Sequence, residues 1–131
     1  MTKREKAVEN HKKGYNCAQA VACVFAEKLG YSEDEIFRLT EGFGAGMGAT
    51  QGVCGAVSAM VFAAGAIKSF GVDKIPETNK KESYTFARKL METFESKVGS
   101  IKCSEIKRNC LRSCDGCIED AVEILEEFIG K

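Results

Sequence analysis

Apolar residues recur at steps of three and four along most of the chain, a spacing that predicts amphipathic helices. Over 76–98 and 115–129 these positions form a single apolar face. No stretch of useful length alternates apolar and polar residues with the period of two that strands require. The pattern therefore predicts an all-α protein, a compact helical bundle of about five to six helices.

Capping residues and glycines set the boundaries of the predicted helices. We predict helices over 2–13, 16–29, 32–42, 50–70, 76–98 and 115–129. Asn16 is the predicted N-cap of the second helix and Gly30 its stop. Ser32 and Glu35 have the spacing of a capping box. Pro76 suits the first turn of the fifth helix.

The segment 42–67 contains no charged residue, as a transmembrane helix would require. However, its first part, 42–52, carries five glycines, and only 53–67 is a mostly apolar run. A membrane span needs about 20 consecutive apolar residues. We therefore predict a buried central helix and no membrane insertion.

Composition and charge narrow the classes of function. The 131 residues include one proline, 44% hydrophobic residues and 29% charged residues, as expected for one folded domain over 1–131. Nineteen basic and nineteen acidic residues give no net charge, so that no overall field would hold nucleic acid. Residues 2–13 carry many charges and no apolar stretch, from which we expect a cytoplasmic protein.

The chain contains seven cysteines. Thiols stay reduced in the cytoplasm, so this number indicates a metal centre or redox chemistry rather than structural disulfides, and the odd count supports this. Cys23 lies among apolar residues in the middle of a predicted helix, where we expect it to pack in the core. The stretch 103–117 is otherwise polar and charged, so that packing does not explain its four cysteines. These are Cys103, Cys110, Cys114 and Cys117.

Two local motifs compete in this stretch. Cys110, Cys114 and Cys117 have the spacing that holds a 4Fe–4S cluster in radical enzymes that use S-adenosylmethionine, but those enzymes need a large α/β barrel that this chain cannot build. Cys114 and Cys117 also form a Cys-x-x-Cys motif at a predicted helix N-terminus, where the helix dipole lowers the pKa of a thiol. That pair would carry out thiol–disulfide exchange or donate metal ligands.

Five segments, in order over nearly the whole chain, carry a family resemblance. They are Gly-Tyr-Asn-Cys-Ala-Gln-Ala-Val at 14–21, Gly-Phe-Gly-Ala-Gly-Met-Gly at 42–48, Cys-Gly-Ala at 54–56, Gly-Ser-Ile-Lys-Cys at 99–103, and Cys114 followed by Ala-Val-Glu-Ile-Leu-Glu-Glu at 121–127. With these segments the chain resembles the C_GCAxxG_C_C family of redox-active proteins. A related domain occurs in split-Soret cytochromes, where an iron–sulphur centre accompanies the haems.

The resemblance implies four defining cysteines, which are Cys17, Cys54, Cys103 and Cys114. By the same resemblance, their thiolates would bind a 2Fe–2S or similar cluster, because iron–sulphur clusters are held by four thiolates. Cys117 remains an alternative fourth ligand in place of Cys114. The glycines of 42–52 either bring backbone N–H groups close to the sulphurs or form a plain connector.

The resulting expectation is a redox or electron-transfer protein that acts with a redox partner protein, with no catalytic residue assigned and no small-molecule substrate of its own. The alternatives are a thiol–disulfide oxidoreductase through Cys114 and Cys117, without a metal, and a structural zinc module. His11 is the only histidine and lies among charges; we expect it to be exposed, so that Cys–His catalysis has little support. The apolar central helix would allow a homodimer.

Overall fold

The computed structural model describes residues 1–77 and 80–130, and within them it contains eight α-helices and no multi-residue strand. The helices are α1 Lys3–Lys12, α2 Cys17–Cys23, α3 Ala26–Leu29, α4 Glu33–Thr40, α5 Gly55–Lys68, α6 Lys80–Val98, α7 Cys103–Arg108 and α8 Cys114–Ile129. All but α3 and α7 have seven residues or more. The predicted all-α class, with about five to six helices of that length, is confirmed.

The N-terminal helices begin where their capping residues predict. Asn16 caps α2 and Ser32 caps α4, and in each case the third helical residue returns a side-chain hydrogen bond to the capping residue. Gly30 ends α3 in the left-handed conformation, with a φ of 83°. The predicted helix over 16–29 is divided into α2 and α3, because Phe25 forms a tight turn in which its N–H donates to the carbonyl of Ala22 over 3.0 Å.

The central helix α5 begins five residues later than predicted, at Gly55. Just before it, residues 52–54 pair with residues 101–103 in a short antiparallel bridge. In this bridge the Cys54 N–H donates to the carbonyl of Ile101 over 2.7 Å. The extended backbone that the bridge requires excludes a helix there, and it places Cys54 at the N-cap of α5.

Two further differences from the prediction flank α6. Pro76 belongs to a separate 3₁₀ turn, Val72–Glu77, and not to the first turn of α6, which is described from Lys80. Residues 78 and 79 of the predicted fifth helix lie outside the described residues. The short helix α7 was not predicted, since six largely polar residues show no apolar periodicity.

The core lies where α5 packs against α2, α6 and α8, while α1 packs on α8. Its largest fully buried side chains include Phe25, Met60, Leu90, Phe94 and Ile118. Burying a side chain of this size stabilises a fold by about 1.5–3 kcal/mol. As predicted, α5 is a buried helix. None of the helices within residues 1–77 and 80–130 has the length and apolarity to cross a membrane.

Candidate functional site

Five of the seven cysteines line one cavity. They are Cys17, Cys54, Cys103, Cys114 and Cys117. The cavity has a volume of about 30 Å³, which suffices for one or two water molecules. Its remaining walls come from Gly55, Ile106, Lys107 and Arg112. The structure thus brings together every cysteine that the sequence suggested as a ligand.

Four of these cysteines lie at the N-terminal ends of helices. Cys17, Cys103 and Cys114 are the first residues of α2, α7 and α8, and Cys54 is the N-cap of α5. Backbone N–H groups in the first turn of a helix lack partners within the helix and are available to a sulphur anion. The longer helices α5 and α8 add the positive ends of their dipoles. The sequence placed two of the four, Cys17 and Cys114, at helix starts.

The glycine loop 42–52 packs directly against Cys103. Gly46 has a φ of 66°, and a Cβ on it would lie 2.7 Å from the Cβ of Cys103. Ala45 and Met47 also have positive φ values, so that the loop turns sharply at this point. Such a close approach is more than a plain connector needs, and it favours a role for the loop in shaping the site.

Asn16 joins this loop to the helix that carries Cys17. Its Oδ1 accepts the Gln19 N–H over 2.9 Å, while its Nδ2 donates to the carbonyl of Glu41 over 2.9 Å. One side chain therefore caps α2 and fixes the chain that enters the glycine loop. The position of Cys17 relative to the loop follows from these two hydrogen bonds.

Cys54 and Cys117 interact, although the sequence suggested a pair of Cys114 and Cys117. Hydrogen bonding with Cys117 lowers the pKa of Cys54 to about 7, against the opposing effect of burial. The backbone N–H groups of Ala56 and Val57 lower the same pKa further. The hydrogen bond, together with burial, raises the pKa of Cys117 above its usual range. Cys117 is thus the donor and Cys54 the acceptor.

Cys17 and Cys103, also in the cavity, resist ionisation. Burial raises the pKa of Cys17 to about 12, with a smaller contribution from the nearby Cys114. Burial also raises the pKa of Cys103, although the charge of Lys107 opposes it. Because each thiolate makes the next one harder to form, several thiolates could exist together in this cavity only beside a compensating positive charge.

The arrangement does not match a single-ion site. In the part of the chain that the structure describes, no three His, Cys, Asp or Glu side chains are placed to hold one metal ion. A structural zinc ion needs four ligands around one centre, and an iron–sulphur cluster takes four thiolates. The cavity supplies five thiols, which include two interacting pairs, Cys17 with Cys114 and Cys54 with Cys117.

Cys23, Cys110 and His11 do not line the cavity. Cys23 is buried, and its thiol donates to the carbonyl of Glu33 over 3.8 Å, as expected of a packing residue. Cys110 is exposed. The expectation of an exposed His11 was wrong, because its ring is partly buried and its Nδ1 lies 2.7 Å from an Asp115 carboxylate oxygen. No local pattern could signal this contact, because its partners are 104 positions apart.

The comparison with known protein families points to a redox role. A family model described as "Putative redox-active protein (C_GCAxxG_C_C)" matches residues 15–128, a range that includes all seven cysteines. No curated protein and no solved structure gives a significant match to the chain.

Proposed function

The chain belongs to the C_GCAxxG_C_C family of redox-active proteins, and from this premise we propose that its clustered thiolates hold an iron–sulphur centre for electron transfer. The observation that carries the proposal is the convergence of five thiols on one small cavity. Several thiolates in this buried cavity would disfavour one another. A cationic group bound between them would turn that cost into a favourable interaction.

The donor set fits such a centre. Cys17, Cys54, Cys103 and Cys114 would hold it, since iron–sulphur clusters take four thiolates, while Cys117 would stand beside Cys54 as a fifth thiol. When bound, the centre would supply one-electron redox chemistry. The cavity of about 30 Å³ is too small for organic cofactors, which occupy pockets of roughly 300 Å³ or more.

The surrounding chain would set the properties of the site. The N–H groups at the start of α5 face the Cys54 sulphur, and hydrogen bonds of this kind tune the potential of a cluster. Lys107 contributes positive charge at Cys54 and Cys103. Electrons would pass to or from a redox partner protein.

The direct test is anaerobic purification followed by a visible spectrum and by iron, sulphide and zinc analysis. We expect a brown protein with charge-transfer bands and with iron and acid-labile sulphide in equal amounts. A colourless, metal-free protein with seven titratable thiols would refute the centre. One zinc per chain without iron would instead support the structural zinc module.

A second candidate is thiol–disulfide exchange, which the interaction of Cys54 with Cys117 favours. The Cys54 thiolate would attack a substrate disulfide and form a mixed disulfide, releasing the first substrate thiolate. Attack by Cys117 would then release the second, leaving a Cys54–Cys117 disulfide and a reduced substrate dithiol. Equilibration of metal-free protein with glutathione buffers, followed by peptide mapping, tests this. The exchange mechanism requires a Cys54–Cys117 disulfide and is excluded by its absence.

A further inference from the structure

Arg112 lines the thiol cavity and is held by a buried carboxylate. Its Nε donates to Asp120 Oδ2 over 3.1 Å, and its Nη2 donates to Oδ1 over 3.3 Å. The guanidinium fork thus engages both carboxylate oxygens, which fixes its plane as well as its position. Only 7% of the Asp120 side chain is exposed, so that the anchor itself has little freedom to move.

Gly116 provides the space in which Arg112 lies. A Cβ on Gly116 would be 2.5 Å from Arg112 Nε and 2.6 Å from its Cζ. Gly116 belongs to the first turn of α8, between Cys114 and Cys117. A side chain at this position would displace the guanidinium from the start of the helix. The position of Arg112 therefore depends both on its hydrogen bonds to Asp120 and on the absence of a side chain at Gly116.

The carboxylate that holds Arg112 belongs to a wider ionic network. Asp120 also lies 3.7 Å from Lys97 Nζ, and Lys97 and Arg4 share Glu123 at 3.3 and 2.8 Å. Besides Asp120, Glu119 also acts on Arg112 and raises its pKa, so that the network sets three cations against three carboxylates. The described residues that line the cavity, however, include the two cations Arg112 and Lys107 and no carboxylate, so that the charge at the cavity wall is positive.

We propose that Arg112 is a specificity-determining residue that makes the thiol cavity select small anionic reactants. The proposal rests on the proposed function only in taking this cavity as the reactive site. A negatively charged reactant is attracted at short range by the Arg112 guanidinium at the cavity wall, whereas a neutral one is not. Lys107, which also lines the cavity, adds to the same attraction.

Alkylation of the full-length chain by an anionic and a neutral probe, iodoacetate and iodoacetamide, tests this assignment. The rate at each cavity cysteine is followed by peptide mass spectrometry. The quantity compared is the rate with iodoacetate divided by the rate with iodoacetamide at the same cysteine. In this ratio the thiolate fraction of the cysteine and most of its accessibility cancel. In Arg112→Gln we expect this ratio to fall about three- to tenfold, as for one charge lost a few ångströms away in a partly aqueous site.

Two further variants separate position from charge. Gly116→Ala keeps every charge but displaces the guanidinium, and its ratio should fall in the same direction as in Arg112→Gln. Arg108→Gln removes an exposed charge at the end of α7 and is the matched control, whose ratio should stay unchanged. Circular dichroism of each variant confirms that the fold is retained.

If the isolated protein holds a centre that blocks its thiols, alkylation is replaced by oxidation of the reduced centre. The ratio is then the rate of oxidation by ferricyanide, an anion, divided by the rate of oxidation by a cationic cobalt(III) complex. An unchanged ratio in Arg112→Gln, or an equal fall in Arg108→Gln, would overturn the assignment. A fall in the alkylation ratio of a metal-free protein would support the assignment while refuting the iron–sulphur centre. The two proposals can therefore fail separately.

Discussion

Gly55 lies directly against Cys17: a Cβ on the glycine would stand 3.2 Å from the Cβ of the cysteine. The same Cβ would also meet the carbonyl oxygen of Phe43 at 3.1 Å. The start of α5 can therefore rest on the start of α2 only because the residue after Cys54 has no side chain. This contact brings two cysteines that are distant in sequence to one cavity, so that Gly55 is as much a part of the site as the thiols.

Gly55→Ala should therefore separate α5 from α2. We expect a loss of about 1–3 kcal/mol in the free energy of unfolding, the usual cost of overpacking, together with a lower iron content. Urea denaturation and metal analysis measure the two effects. Gly65→Ala on the same helix is the control: its Cβ would meet nothing within 4 Å, and helix propensity should stabilise the protein by about 0.5–1 kcal/mol. Equal effects of the two substitutions would contradict this role for Gly55.

Gly46 and Gly48 form a second matched pair, in the glycine loop. Their φ values are 66° and 77°, so that alanine costs roughly 1–2 kcal/mol of backbone strain at either position. Only at Gly46 does the new Cβ collide with Cys103, at 2.7 Å, whereas at Gly48 the nearest atom is 4.0 Å away.

Gly46→Ala should consequently lower the free energy of unfolding by about 1–3 kcal/mol more than Gly48→Ala. It should also reduce the amount of bound centre by displacing Cys103. Denaturation curves and the visible spectrum of both variants provide the measurement. If Gly48→Ala proved the more damaging, the loop would be sensitive to its backbone conformation and not to its contact with the cysteine.

The features that the sequence predicted correctly are those with local causes. Asn16 and Ser32 cap their helices through residues three positions ahead, and Gly30 ends a helix through its own left-handed conformation. All the residues that produce such a signal lie within about one helical turn of one another. They need no knowledge of the tertiary structure, and the N-terminal boundaries were accordingly close to the observed ones.

The features that the sequence missed depend on distant partners. Residues 52–54 are apolar enough for a helix but pair with residues 101–103, so that α5 begins late. The local Cys-x-x-Cys spacing favoured Cys114 as the partner of Cys117, whereas Cys117 hydrogen-bonds with Cys54 across the fold. Periodicity carries no information on such contacts. The four proposed ligand cysteines came from the family resemblance. Their positions at the starts of helices explain how they come together in one cavity.

The cysteines inside and outside the cavity should differ sharply on substitution. Cys17→Ser and Cys54→Ser should each abolish the centre, because a serine hydroxyl stays protonated where a thiolate ligand is needed. Cys23→Ser is the control, since Cys23 does not line the cavity. Iron and sulphide content and the visible spectrum are the readouts. A centre lost only on substitution of Cys110 or Cys117 would instead indicate a local C-terminal site.

Cys114 and Cys117 should respond differently from each other. Cys114 is the first residue of α8, whereas Cys117 lies one turn further on and donates its hydrogen bond to Cys54. We expect Cys114→Ala to lose the centre. Cys117→Ala should retain full iron and sulphide with a lower reduction potential, because removal of a hydrogen bond to a ligand sulphur leaves more negative charge on it and disfavours the reduced state.

Redox titration of the two variants, with iron and sulphide analysis, distinguishes the roles of these cysteines. Cys117→Ser restores a donor at the same position, and its potential should lie nearer to that of the original protein than the potential of Cys117→Ala. If Cys117→Ala changed the potential only by loosening the core, the hydroxyl group of Cys117→Ser would not restore it. Loss of the centre in Cys117→Ala with retention in Cys114→Ala would show that Cys117 is the fourth ligand, and that the hydrogen-bonded pair of Cys54 and Cys117 binds the metal through both sulphurs.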